Sequence, residues 1–264
     1  NAAASIQANR RIAIKVGGGG RRHADAIRRL AESSGAAVVL SPGSTGVLPD
    51  AHPQNMHVGG SKGSISGNYA MAEAELLIVI GSRGVCQADC SGIGYGKAMA
   101  VININADLSD VSHYNHTLAL QGDISATIER LLQALGSVDP ENSREWLQAC
   151  AARKAEWQAF KQQRFATPPL QDPAFGRALL TQPAAIKIVA DFARAEGAVK
   201  LFDAGDVQAN GFQIVEDDAP GQSYTESGAS YMGYAVSALV AGGVADKPVY
   251  SIAFSGDGSF MMNP

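Results

Sequence analysis

Cysteine, histidine and charge are all scarce in this 264-residue chain, and each scarcity removes a class of function. Three cysteines, Cys86, Cys90 and Cys150, are too few for a disulfide framework, which points to a reducing, cytoplasmic setting. Cys86 and Cys90 are close enough to share a metal, but no second Cys or His pair completes four ligands, so no metal site is expected there. The histidines are His23, His52, His57, His113 and His116. They show no triad or metal spacing, and His52 reads as a turn residue. Charged residues make up 17% of the chain and the net charge is -4, which leaves no basic footprint for nucleic acid or anionic lipid. No apolar run reaches the length of a membrane span, and no signal peptide is visible. An initiating Met is also missing, and Asn1-Ala2 reads as the remnant of a removed tag.

Apolar residues, by contrast, reach 46%, enough for a sizeable core in one or two domains. They come as short runs separated by helical patterns. Ile12–Val16, Ala36–Leu40, Leu76–Ile80, Ala98–Ile104 and Thr117–Leu120 read as strands. Helices are expected from about Arg22 to Ser33, from Ser64 to Ala74, and over Ile124–Leu135 with Asp123 as its N-cap. Such alternation implies a parallel sheet covered on both faces, over residues 1–137. Residues 138–181 read as a helical connector. There Glu141–Arg164 carries a stripe of Trp146, Leu147, Trp157 and Phe160 suited to packing on a neighbouring domain, and Pro168-Pro169 breaks the helix. A second α/β unit occupies residues 182–264, with helix Pro183–Glu196, strand Val199–Ala204, a helix around Met232–Ala241 and strand Val249–Phe254. With two clear strands it is an incomplete sheet, expected to leave apolar surface exposed unless other segments or a partner subunit cover it.

The motif of greatest chemical interest follows the last strand: Gly256-Asp257-Gly258-Ser259-Phe260, then Met262-Asn263-Pro264. Open α/β sheets bind ligands at the C-terminal ends of their strands. Asp257 offers magnesium a hard carboxylate oxygen, and Gly256 and Gly258 let backbone approach a phosphate. Taken alone, the three residues are equally a strand-to-helix turn. Joined to Ser230-Tyr231-Met232-Gly233-Tyr234-Ala235 upstream, they resemble the thiamine diphosphate-dependent enzymes of the acetolactate synthase, pyruvate oxidase and benzoylformate decarboxylase group. Leu48-Pro49-Asp50-Ala51-His52-Pro53, Ala74–Arg83, Ile102–Asp107 and Gln121-Gly122-Asp123 resemble the central domain of the same group, in the same order.

The resemblance implies a six-stranded NAD/FAD-binding-like central domain followed by an incomplete thiamine diphosphate-binding domain. It implies a thiamine diphosphate and magnesium site built from Gly205, Gln208, Met232, Gly233, Gly256, Asp257, Gly258 and Ser259, with Asp257 as metal ligand. A second metal ligand, an Asn of a pair downstream, would lie beyond Pro264. Met232, otherwise readable as a core residue, would pack between the two rings of the cofactor and hold it bent. Gly205-Asp206-Val207-Gln208 departs from the Gly-x-His-Gln of many synthases: Val207 cannot donate a hydrogen bond, whereas Gln208 can reach a phosphate. Glu226 reads either as a substrate contact or as a solvated carboxylate.

In flavin-binding relatives Arg83 would approach FAD. Here the ribose-binding acid is replaced, since Asn103 and Asn105 stand in the Ile-Asn-Ile-Asn stretch, so FAD and an empty central domain stay open alternatives. Gly17–Gly20 resembles a phosphate loop but lacks the spaced glycines of a dinucleotide fingerprint. The implied activity is decarboxylation or carboligation of a 2-oxo acid by a homodimer or homotetramer. The activating Glu is expected in a pyrimidine-binding domain outside this chain, so the fragment itself is expected to be inactive. A nucleotide-binding module and a non-catalytic homologue are the competing readings.

Overall fold

A computed structural model of the protein describes residues 1–84, 93–112, 114, 116–226 and 228–262. Cys86, Cys90, His113, Asn263 and Pro264 lie outside the described residues. The chain divides into two compact units, Asn1–Glu156 with Asp217–Pro220, and Trp157–Glu216 with Gly221–Pro264.

The first unit holds β1 (Ile12–Val16), β2 (Ala37–Leu40), β3 (Asn55–Val58), β4 (Leu76–Ile80), β5 (Ala100–Asn105) and β6 (Thr117–Gln121). All pairings are parallel, in the order β3-β2-β1-β4-β5-β6, as the α/β expectation required. Every residue of β1, β2 and β4 is buried. That is why their sequences run continuously through Ile, Val, Leu and Ala rather than alternating. Lys15 is the polar exception in β1, and its Nζ donates to the carbonyls of Leu40 (2.8 Å) and Gly59 (3.2 Å).

Helix α1 (Ala2–Ala8) precedes β1; α2 (Ala24–Ser34), α3 (Ile65–Glu73), α4 (Leu108–Val111) and α5 (Ile124–Leu135) come after β1, β3, β5 and β6, and α6 (Arg144–Phe165) begins in this unit. Asp123 caps α5, accepting the Ala126 N–H. In α1 the Asn1 carbonyl accepts the Ser5 N–H, Ile6 is buried, and Gln7 Nε2 donates to Leu135 O at 3.0 Å. On α6, Trp146 packs with Ala37, Val39, Met56, Ala70, Met71 and Cys150, and its Nε1–H donates to Ile12 O at 2.9 Å. Burial pushes the Cys150 thiol up to about 12, so it stays protonated and inert at neutral pH.

β3 was not foreseen. Asn55-Met56-His57-Val58 mixes polar and apolar residues because it is an edge strand held by side chains. Asn55 Nδ2 donates to Leu48 O, and its Oδ1 accepts the His57 N–H. His57, at φ 65, sets Nδ1 3.0 Å from Ser66 Oγ and Nε2 3.4 Å from Asp50 Oδ1. Ser66 is fully buried and its Oγ donates to Met56 O, so this Asp–His–Ser series is structural rather than nucleophilic. The excursion Asp217–Pro220 is seated nearby. The Asp50 N–H donates to Asp217 O at 3.1 Å, and a methyl on Gly46 (φ 81) would lie 2.1 Å from Ala219 O.

The second unit contains an antiparallel hairpin, β7 (Leu170–Asp172) with β8 (Arg177–Leu179), and a parallel sheet of β9 (Val199–Phe202), β10 (Ser223–Thr225) and β11 (Ser251–Phe254). The sheet therefore has three strands, one more than the two read from sequence. Helices α7 (Gln182–Ala195), α8 (Asp206–Ile214), α9 (Tyr234–Val244) and α10 (Asp257–Phe260) accompany them. Phe202 anchors the core, stacked on Phe254 at 4.5 Å and tilted on Phe212 at 5.2 Å between ring centroids. Trp157, on the part of α6 in this unit, is buried and stacks on Phe160. Ile188, Phe192, Val240, Val244 and Tyr250 are exposed.

Two glycines bracket the tolerance of the chain. A methyl on Gly17 would sit 2.3 Å from Gly81 O, whereas one on Gly243 of α9 meets nothing within 4 Å. Gly17→Ala is expected to destabilise the first unit by about 2 kcal/mol or more, and Gly243→Ala to stabilise the second by roughly 0.5–1 kcal/mol. Urea denaturation of each variant checks both signs.

Candidate functional site

Because β9, β10 and β11 are parallel, the chain leaves all three at the same edge. In the sheet order β10-β9-β11 β9 connects to β10 on one side while β11 lies on the other, and the edge between the C-terminal ends of β9 and β11 is where open α/β sheets form a ligand crevice. Asp203-Ala204-Gly205 follows β9 and leads into α8; Ser255-Gly256 follows β11 and leads into α10. From β10 the chain runs through Glu226 and Met232 to Gly233, which opens α9. Among the described residues no side-chain hydrogen bond caps α8, α9 or α10. A Cβ built on Gly205, Gly256 or Gly258 meets nothing within 4 Å. Asp257, between two of these glycines, is exposed, and Met232 is half-exposed. Among the described residues no three His, Cys, Asp or Glu side chains converge on a metal position, so Asp257 stands as a single carboxylate.

The remaining expected site residues are placed differently. Gln208 is buried, and its Nε2 donates to Thr225 Oγ1 (2.8 Å) and Glu226 O (2.9 Å). Thr225 Oγ1 in turn donates to Phe202 O. The amide donors expected at a phosphate are thus engaged in tying α8 to β10. Ser259 is buried, away from the open ground around Gly258. The Gly233 N–H, at φ 91, donates to Asp203 Oδ1 at 2.9 Å.

One carboxylate here, Asp203, has no counterpart among the residues expected from sequence. Asp203 is fully buried; Oδ1 accepts the N–H groups of Ala204 and Gly233, and Oδ2 accepts the Ser255 hydroxyl at 2.9 Å. An acid at the very end of an apolar strand was the available signal. Glu226, read from sequence as a substrate contact or a solvated carboxylate, is held by the loop that follows it. Its carboxylate accepts the N–H groups of Gly228 (2.6 Å), Ser230 (2.5 Å) and Tyr231 (3.4 Å). Burial would raise this carboxyl. The amides of Gly228, Ala229, Ser230 and Tyr231 outweigh that effect and hold it below its ordinary value.

At the corresponding edge of the first unit, the crevice between β1 and β4 is closed by the protein itself. The Gly17 N–H donates to Ile80 O, Gly19 N–H to Gly81 O and Gly20 N–H to Gly17 O. The glycines read as a phosphate loop serve close packing instead. Asn103 is fully buried with Nδ2 donating to Asp110 O, and Asn105 Nδ2 donates to Ser82 O. Arg83 alone of the residues read for a flavin is exposed.

Two family models match the chain. "Thiamine pyrophosphate enzyme, central domain" covers residues 1–131, and "Thiamine pyrophosphate enzyme, C-terminal TPP binding domain" covers residues 203–264. The chain belongs to the thiamine pyrophosphate enzymes. Within that family it is similar to the acetolactate synthase isozyme 1 large subunit of Escherichia coli, 28% identical over 264 residues, spanning 100% of this chain and 44% of that protein. It is also similar to an acetolactate synthase of Mycobacterium bovis (26% identical over 264 residues; 99% of this chain, 41% of the other). The chloroplastic acetolactate synthase of Arabidopsis thaliana is 24% identical over 260 residues (98% and 37%). The chain thus spans less than half the length of these relatives. No helix among the described residues is long and apolar enough to cross a membrane.

The residues at this edge fit the diphosphate end of the cofactor that the family is named for: Asp257 is an exposed hard carboxylate between two glycines with open space before them, and a third such glycine, Gly205, follows the neighbouring strand β9. A flavin is not supported in the same way, because among the described residues only Arg83 of those read for it faces solvent.

The depressed Glu226 carboxyl gives a pH signature. Its contribution to stability is fully present above the carboxylate range of the unfolded chain and is lost as pH falls through the lower folded value. Glu226→Gln should cost roughly 1–2 kcal/mol at neutral pH, with the difference from wild type shrinking as the pH falls below the ordinary carboxylate range. Denaturation curves at several pH values measure it, and a pH-independent difference would remove the assignment.

Proposed function

We propose that this chain is part of a thiamine diphosphate- and magnesium-dependent enzyme that cleaves or joins carbon–carbon bonds next to a carbonyl. The class is a 2-oxo acid decarboxylase or carboligase resembling acetolactate synthase, a lyase or transferase. The observation that carries this reading is the exposed Asp257, flanked by open glycines at the crevice between β9 and β11, together with the family to which the chain belongs. Residues 1–137 serve as the central domain, 138–181 as connector and 182–264 as the start of the diphosphate-binding domain.

When bound, thiamine diphosphate supplies a nucleophilic carbon and an electron sink for bond cleavage beside a carbonyl. The chain's part is binding and orientation. Asp257 would hold magnesium through a carboxylate oxygen, and the backbone at Gly205, Gly256 and Gly258 gives phosphate a close approach. Ser259 sits behind that turn. Met232, with a flexible and polarizable thioether, offers a surface against aromatic rings, and Gly233 fixes where that surface stands. Gln208 acts through the loop it anchors. Arg83 belongs to the central domain and is left without a role in this chemistry. The activating Glu and the neighbouring subunit of a homodimer or homotetramer fall to the longer protein, so residues 1–264 alone should bind the cofactor weakly.

Asp257→Ala in the full-length protein should weaken magnesium-dependent thiamine diphosphate binding at least about a hundredfold while leaving far-ultraviolet circular dichroism unchanged, because the side chain is exposed. Titration calorimetry measures the first quantity. Equal affinity in variant and wild type would refute the metal assignment.

A further inference from the structure

The crevice has one fully buried charged group, and nothing in the proposed chemistry uses it. Asp203 stands at the exit of β9, and its backbone N–H donates to Phe254 O at 2.9 Å, which locks the ends of β9 and β11 together. Its carboxylate then reaches both sides of the crevice. Through Oδ1 it receives the N–H of Gly233, the residue after Met232, and through Oδ2 it receives the hydroxyl of Ser255, two residues before Asp257. The two contacts come from residues 30 and 52 positions away in sequence. No local turn preference could impose both.

We propose that Asp203 is the positioning residue of this site. It sets the Met232 surface and the Gly256-Asp257 turn as one rigid pair, so that a ligand's rings and its metal-bound phosphates meet residues already in register. The inference rests on the thiamine diphosphate reading of Asp257 and Met232. The physical case is one of alternatives. A buried carboxylate must keep hydrogen-bond donors, so Gly233 and Ser255 cannot drift from it without leaving it unsatisfied. The Ser255 hydroxyl has one other acceptor within reach, Gly256 O at 3.2 Å. If Asp203 no longer accepts, that hydroxyl turns to Gly256 O and pulls on the peptide that precedes Asp257. Asp203→Asn keeps the shape and an oxygen for the two amides, but presents an N–H to Ser255 where it needs an acceptor. Ser255→Ala removes the hydroxyl, whereas Ser255→Thr retains it.

The test is a double-mutant cycle in the full-length protein, reading magnesium–thiamine diphosphate affinity by calorimetry and folding by thermal midpoint. Asp203→Asn and Ser255→Ala should each weaken binding about tenfold. The double variant should be no weaker than the weaker single, because both changes break the same contact. Ser255→Thr should bind as wild type does. A role confined to folding would lower the thermal midpoint and leave affinity unmoved, and that result overturns the proposal. So does a double variant whose loss is the product of the two singles. If Asp203→Asn fails to fold, the Ser255→Ala and Ser255→Thr pair still decides: equal affinity in the two overturns the proposal. Wild-type protein that binds no thiamine diphosphate would overturn the functional reading itself, a result distinct from wild-type binding with unaffected variants.

Discussion

Burial of one carboxylate organises the second unit. A charge removed from water costs several kcal/mol unless donors replace the lost solvent, and Asp203 is satisfied only where β9, the start of α9 and the exit of β11 come together. The Phe202, Phe212 and Phe254 rings supply the apolar pressure that brings these segments near. Apolar packing is tolerant of small shifts, whereas the carboxylate is not. The aromatic layer therefore gives the unit its stability, and Asp203 gives the crevice a defined shape. Thr225 and Gln208 extend the same logic to β10, and Glu226 to the loop beyond it.

The two parallel sheets show how one architectural rule leads to different outcomes. Each has parallel neighbours that are not consecutive in the chain, β1 with β4 and β9 with β11, and the C-terminal ends of such strands invite ligands. In the first unit glycine is used for intimacy: Gly17, Gly19 and Gly81 let two loops pack backbone to backbone, with the Gly17 and Gly19 amides donating to the carbonyls of Ile80 and Gly81 and the Gly81 amide to that of Ile104. In the second, Gly205, Gly256 and Gly258 leave space unfilled. Glycine content alone would have pointed to both crevices equally. What distinguishes them is whether the space in front of the glycines is already filled.

Much of the architecture was legible in the sequence because the central strands are buried on both faces and so are apolar throughout, as in Leu76–Ile80. Strands escaped notice where other forces replace that burial. Asn55–Val58 is pinned by the Asn55 and His57 side chains, and Ser223–Thr225 is a three-residue strand whose Thr225 belongs to a hydrogen-bond chain. Helix α8 was hidden for another reason: Asp206–Ile214 contains Gly211, and a Cβ there would collide with Phe202, so a residue poor in helix propensity is required by packing. At the site, Asp257, Met232 and the open glycines could be named from motif and edge position. Asp203 could not, since Gly233 and Ser255 are distant from it in sequence and Gly233 offers only a main-chain N–H. Gln208 was assigned to a ligand because burial, which commits its amide to Thr225 and Glu226, is a tertiary property.

The return of Asp217–Pro220 to the first unit has a consequence for how this polypeptide can be taken apart. No single scission of the chain yields two self-contained halves. A cut after Glu156 would strip the first unit of four residues, of which Asp217 sets its carbonyl against Asp50 and Ala219 its carbonyl against Gly46. An exchange of modules with another gene must carry that short stretch along, or leave a glycine-lined slot facing water. The two units are interleaved in inheritance even though each has its own core.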